Sequence, residues 1–263
     1  ALCARYEAEL NQILSPDGRE LPEVRAVDER AAFDCDALLF TASAGVPPAS
    51  QTCGDVRMAQ FDANRRILRA YGALARETGF SGLFAQIADP VDRLSRALFL
   101  DSNTAADGKL DFNGLLPEQV RGYGLGVMRA RALYAASSRG AAAPRLRAYG
   151  PHGRGLVIAN DPCERYDNAL SLSLTQDAVN ANLRVRELGY KPYIAPGISS
   201  ACAGVLRTLR GEWHDAAVPM GGAYFGCTAR VTPRGGEVLR EPLHPELMAR
   251  LCAEFSALAR EQY

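Results

Sequence analysis

The sequence has little lysine, little histidine and no net charge. Only Lys109 and Lys191 are lysines, so nearly all of the 30 basic residues are arginine, and they balance 30 acidic ones. That balance excludes nucleic-acid recognition through a broad basic surface. Long hydrophobic runs are missing: Ala37–Phe40, Leu83–Ala88 and Ala216–Met220 are strand-sized, far short of the roughly 20 residues of a membrane span. No CxxC pair occurs among the seven scattered cysteines. A disulfide framework or zinc site is therefore not expected, no metal ligands are assigned, and a reducing cytoplasm is the expected compartment. No basic stretch followed by an apolar one opens the chain, so no secretory signal is visible. A G-x-S-x-G elbow, a P-loop and an H-E-x-x-H pair are also missing. His152, His214 and His244 are the only histidines, which keeps the stock of acid–base groups near neutral pH small.

What is present is an ordinary globular composition over 263 residues, with 48% hydrophobic and 23% charged. The spacing predicts a short helix over Tyr6–Leu14, a buried strand from Asp36 to Thr41, and a small-residue loop over Ala42–Gly54. A long helix from Asp55 to about Thr78 follows, with Asp55 as N-cap and Gly79 as stop. Leu83–Ala88 is a second strand, and a helix follows from about Val91 to Leu98. Strand–helix alternation with short connections predicts parallel strands, with a ligand at their carboxyl ends, near Thr41–Gly45 and Ala88–Asp89. Beyond a glycine-rich turn, Gly122–Gly126, come an Arg/Ala-rich helix and helices over Gln176–Leu188 and Ser199–Leu209. Antiparallel strands at Ala217–Met220, Tyr224–Thr232 and Glu237–Arg240, with a turn at Arg234–Gly236, precede a last helix from about Pro245. Two lobes are expected, 1–126 and 127–263.

Gly150-Pro151-His152-Gly153 sets a histidine between two glycines, a loop style that admits a ligand close to an imidazole. Taken singly, Arg57 reads as a solvated arginine at a helix start, Arg131 as a surface arginine, and Asp89 as a helix cap. Their order and spacing add more. Asp36–Pro47, which contains Thr41-Ala42-Ser43-Ala44-Gly45, resembles the strand and "TAGVP" cofactor loop of the lactate/malate dehydrogenase family. Arg57, with Asn64 and Ile67 after it, resembles the mobile-loop arginine and its helix. Ala88–Asp92 resembles "TNPVD", Gln119–Gly124 the "RVIGLG" turn, Arg131 the arginine of "LDxxR", and Gly150–Gly153 "GEHG". Val218-Pro219 and Tyr224-Phe225-Gly226 resemble the family's C-terminal hairpin.

The resemblance implies an α/β fold: a Rossmann-type parallel sheet, incomplete at its N-terminus, in residues 1–126, then an α+β catalytic domain in 127–263. It implies hydride transfer between NAD (NADP is left open) and a small 2-hydroxy or 2-oxo acid. His152 would exchange the hydroxyl proton, and Arg57 would close over the substrate and polarise its carbonyl. Arg131 would hold the carboxylate, with Asp89 and Gln51 also at the substrate. Thr41, Ala42, Gly45, Asn64, Ile87 and Asp89 would line the cofactor. A cytoplasmic homodimer or homotetramer is implied, with neither nucleic acid nor membrane as partner.

Several positions depart from the family pattern. The aspartate that orients the histidine is Met128, and the "TNPVD" asparagine is Asp89. The loop Pro47–Gly54 carries no arginine, which disfavours a dicarboxylate such as malate; Gln51 suits an uncharged side chain better. The glycine-rich phosphate-binding unit, about 30 residues of βαβ, has no counterpart before Ala37. Either that unit lies upstream of Ala1, as the missing initiator Met suggests, or the chain does not bind NAD in the family manner. The alternative function is a catalytically weakened homologue serving as a ligand-binding or structural subunit.

Overall fold

The computed structural model describes residues 2–45, 58–190 and 195–262. Three short parallel strands form the first half of one sheet: β1 (Ala37–Phe40), β2 (Leu83–Gln86) and β3 (Val120–Gly122). Between them run α2 (Phe61–Glu77) and α3 (Val91–Ser102), while α1 (Leu2–Leu10) lies ahead of the sheet in sequence. In α2 the buried residues Phe61, Asn64, Leu68, Gly72 and Ala75 recur every three or four positions, the stripe that seats a helix on a sheet. Gly79, at φ +63, ends it: its N–H reaches Arg76 O while Phe80 N–H reaches Ala75 O.

The second half begins with α4 (Leu125–Ser138), a hairpin of β4 (Arg147–Tyr149) and β5 (Val157–Ala159), α5 (Asn168–Glu187) and α6 (Ala195–Leu209). The chain then returns to the main sheet as β6 (His214–Met220), β7 (Ala223–Thr232) and β8 (Gly235–Val238), and closes with α7 (Pro245–Ala259). The sheet order is β1-β2-β3-β6-β7-β8, parallel up to β3 and antiparallel beyond. One sheet therefore runs past Gly126. Fully buried Leu68, Phe84, Leu94 and Leu98 fill the space between the parallel strands and α2 and α3. Met128, Leu146, Ile158 and Leu174 form a second core among α4, α5 and the β4–β5 hairpin. Among the described residues, no helix is long and apolar enough to cross a membrane.

Several elements differ from the sequence expectations. The first helix ends at Leu10 rather than Leu14, because the Asn11 side chain turns to Val24, donating to its carbonyl at 2.7 Å and accepting its N–H at 2.8 Å. The described part of α2 opens with a 3-10 turn at Met58–Gln60; Asp55, expected as its cap, lies outside the described residues. The expected glycine turn begins as a strand: Gly122 ends β3, and a Cβ there would stand 2.6 Å from Val91 Cγ1 and 3.0 Å from Ala217 Cβ. Glycine at that position lets strand and helix touch. Gly235 and Gly236 also belong to a strand, since Thr232 pairs with Gly235 and leaves Pro233 and Arg234 as the turn. Gly122→Ala is expected to cost about 1–3 kcal/mol of overpacking, read as a lower urea midpoint; an unchanged midpoint contradicts this packing.

Candidate active site

Of the three histidines, two have structural duties. His214 is buried, with Nε2 2.8 Å from Thr208 Oγ1, Nδ1 3.0 Å from Glu212 O, and its ring stacked on Tyr123. Burial lowers its pKa. His244 caps α7, its Nδ1 accepting from Glu246 N–H at 3.3 Å.

The loop carrying His152 is shaped by glycines with positive φ, Gly150 at +81 and Gly153 at +139. Gly150 N–H donates to Gly226 O of β7 at 2.9 Å, and His152 N–H donates to Asp92 Oδ2 at 2.5 Å. Between these ties the imidazole lies against Gly124, just before α4: a Cβ on Gly124 would fall 1.9 Å from His152 Nδ1. Asp89, on the loop leaving β2, brings Oδ1 to 3.8 Å from the same nitrogen. The His152 side chain is 10% exposed and that of Asp89 36%. The loop from β2 into α3, the junction from β3 to α4 and the 150–153 loop thus meet at one imidazole, at the carboxyl ends of parallel strands.

Asp92, in the first turn of α3, is 3% exposed. Burial pushes its carboxyl from 3.8 up to about 7, against the opposing pull of the His152 N–H and the Arg93 charge. Arg93 is itself held by Glu261, with bonds of 2.7 and 2.6 Å.

The other expected site residues fall as follows. Thr41, Ala42 and Gly45 are exposed at the carboxyl end of β1. Asn64 is fully buried and ties two loops together: its Oδ1 accepts Ala44 N–H at 2.7 Å, and its Nδ2 donates to Asp89 O at 2.7 Å. Ile87 is buried in a cluster with Ala85, Tyr123, Ala201 and Val205. Arg131 is half-buried on α4, with Nη1 donating to Met128 Sδ at 3.6 Å, and Met128 is fully buried. Arg57 and Gln51 lie outside the described residues. The site therefore joins His152 to Asp89, Gly124 and Asp92. Sequence reasoning assigned no role to the last two; only Asp92's place in "TNPVD" and the Gly-x-Gly spacing pointed at them.

For a nicotinamide cofactor, the described residues fit one end of the molecule. Exposed Thr41–Gly45 are held through Asn64 to the Asp89 loop, and that loop meets the imidazole. No glycine-rich turn opening a helix lies among the described residues before β1 to cradle a diphosphate.

No family model matches the chain. L-lactate dehydrogenase from Mesomycoplasma hyopneumoniae strain 232 is 30% identical over 129 residues, 48% of this chain and 36% of the relative. The matched stretch is thus about a third of the length of that curated relative. Among solved structures, malate dehydrogenase from Archaeoglobus fulgidus in complex with NADH superposes with a TM-score of 0.73 at 17% identity, covering 96% of this chain and 83% of that one. The fold is that of the lactate/malate dehydrogenases. A minor L-lactate dehydrogenase from Enterococcus mundtii, in ligand-bound form, gives 0.71 at 17% identity over 96% and 83% of the two chains. Malate dehydrogenase from Plasmodium falciparum gives 0.70 at 15%, over 98% and 83%. The resemblance of this lactate/malate dehydrogenase-like chain to the family holds both in sequence and in fold.

Two outcomes test this site. Gly124→Ala is expected to push the imidazole off its seat and shift the His152 ring signals in NMR spectra; unchanged signals contradict the contact. For Asp92 the folded-state pKa is raised above the unfolded one. The stability it contributes is fully present below about pH 4 and is lost as pH rises through about 7, a change of at most about 4 kcal/mol. Urea unfolding at pH 5 and 8 is expected to show this loss in the parent chain and a smaller one in Asp92→Asn; equal losses contradict it.

Proposed function

We propose that the chain acts as an NAD-dependent 2-hydroxyacid dehydrogenase of lactate/malate type, on small 2-hydroxy or 2-oxo monocarboxylates. The observation that carries this reading is the imidazole–carboxylate pair of His152 and Asp89 at the carboxyl ends of parallel strands. In this reading residues 1–126 form the cofactor lobe and 127–263 the catalytic lobe, and the protein works as a cytoplasmic homodimer or homotetramer. The described cysteines are all free, in keeping with a reducing compartment.

During oxidation His152 takes the hydroxyl proton of the 2-hydroxy acid as its carbonyl forms; during reduction it returns that proton. Asp89 faces the ring and stabilises the positive charge that the ring then carries, the duty the family gives to an aspartate at the position of Met128. Arg131 holds the substrate carboxylate with its planar fork of donors, and Arg57 polarises the carbonyl oxygen. A bound nicotinamide supplies or takes up the hydride. Thr41, Ala42, Gly45, Ile87 and the Asp89 loop would hold it, with Asn64 bracing that loop. Malate is disfavoured, because Gln51 and its neighbours offer no second cation.

One observation favours the second reading, a weakened homologue that binds a ligand or supports a partner. The side chain beside Arg131 is an apolar thioether sealed in the core, which can neither orient an imidazole nor share its charge. NADH oxidation with pyruvate-like acids over about pH 5 to 8, the range of histidine titration, separates the two. The first reading predicts slow turnover that falls as pH rises, since reduction needs a protonated ring, and an increase of about tenfold in Met128→Asp. Zero rates in both forms, with no change of NADH fluorescence, leave only the second.

A further inference from the structure

The Asp89 carboxylate faces the His152 ring, but nothing in that contact fixes the main chain from which the ring projects. That chain is a glycine-flanked loop with two positive φ values, a backbone free to take many other shapes. Gly150 is tied to β7 through Gly226 O. At His152 the tie is the bond from its N–H to Asp92 Oδ2, a carboxylate 60 residues away in sequence and 3% exposed.

We infer that Asp92 is a positioning residue for the histidine: its carboxylate fixes the His152 main chain so that the ring seats on Gly124 and meets Asp89. This deepens the dehydrogenase reading and rests on it for its catalytic meaning. Asp89 and Asp92 lie on either side of the start of α3, so one short segment holds the histidine at two points, the ring and the main chain. That segment has its own brace. Arg93 pairs with Glu261 through two bonds, and Arg96 donates to Glu261 O at 2.8 Å, which anchors α3 to the end of α7. A carboxylate stands at this position although burial opposes its charge. The charged groups bearing on it are Arg93 on its own helix and Asp89 on the loop before that helix. A part-buried main-chain N–H deprived of its acceptor loses stability, so the bond favours one position of the loop.

The test is residue-resolved amide hydrogen exchange in the ligand-free chain, which does not depend on turnover. In Asp92→Ala the His152 amide is expected to exchange about tenfold faster or more, while Leu94 and Leu98 in α3 keep their protection. Asp92→Asn retains an acceptor oxygen and is expected to restore protection to within about threefold of the parent chain. It also serves where Asp92→Ala folds poorly. An unchanged His152 amide in Asp92→Ala overturns the inference; so does an increase shared equally by Leu94 and Leu98, or a failure of Asp92→Asn to restore protection. If the parent chain oxidises no NADH, the dehydrogenase reading fails while the exchange result still decides the role of Asp92.

Discussion

The seat of an imidazole on a bare Cα organises this molecule. His152 takes the space that any side chain on residue 124 would need, so the junction from β3 into α4 must run without a Cβ at that point. The same limit draws three distant segments together. The loop from β2 delivers Asp89, the first turn of α3 delivers Asp92, and the Gly150–Gly153 loop delivers the ring. Each segment is held elsewhere by ordinary forces: Asn64 bonds to the Asp89 loop, Gly226 to Gly150, and Glu261 to α3 through Arg93. The imidazole is thus positioned by a framework whose own parts are packed and hydrogen-bonded.

Burial distinguishes the positions of Met128 and Asp89. Met128 is fully buried among Leu125, Leu146 and Leu174, where an ionised carboxylate would lose its hydration and depend on Arg131 for compensation. The Asp89 side chain is about one-third exposed, while its Oδ1, the oxygen nearest the ring, is buried. Met128 puts an apolar side chain in that core, and Asp89 puts a carboxylate at the strand end.

Much of this was readable in the residues. Asp36–Thr41 and Leu83–Ala88 announced two buried strands, and the spacing of Phe61, Leu68 and Tyr71 announced α2, because apolar periodicity is a local property. β3 was read as a turn because its glycine serves contact with α3, and no local pattern reports a neighbour. The β4–β5 hairpin was unread for a similar reason: three-residue strands are too short to show alternation. At the site, His152 and Asp89 were singled out by chemical type and position. The role of Asp92 leaves no local signal, since its partner is a main-chain N–H and any residue type would supply that. Gly124 likewise declares itself only through the ring that lies on it.

In the proposed function, Asp89 does for His152 what Met128 cannot. A double-mutant cycle on the rate of 2-oxo acid reduction tests it, with Asp89→Asn placed once in the parent chain and once in Met128→Asp. If Asp89 is the partner of the ring, its loss costs about tenfold or more in the parent chain and far less where a second carboxylate stands ready, a strong departure from additivity. Equal losses in the two backgrounds would show that Asp89 serves something other than the histidine.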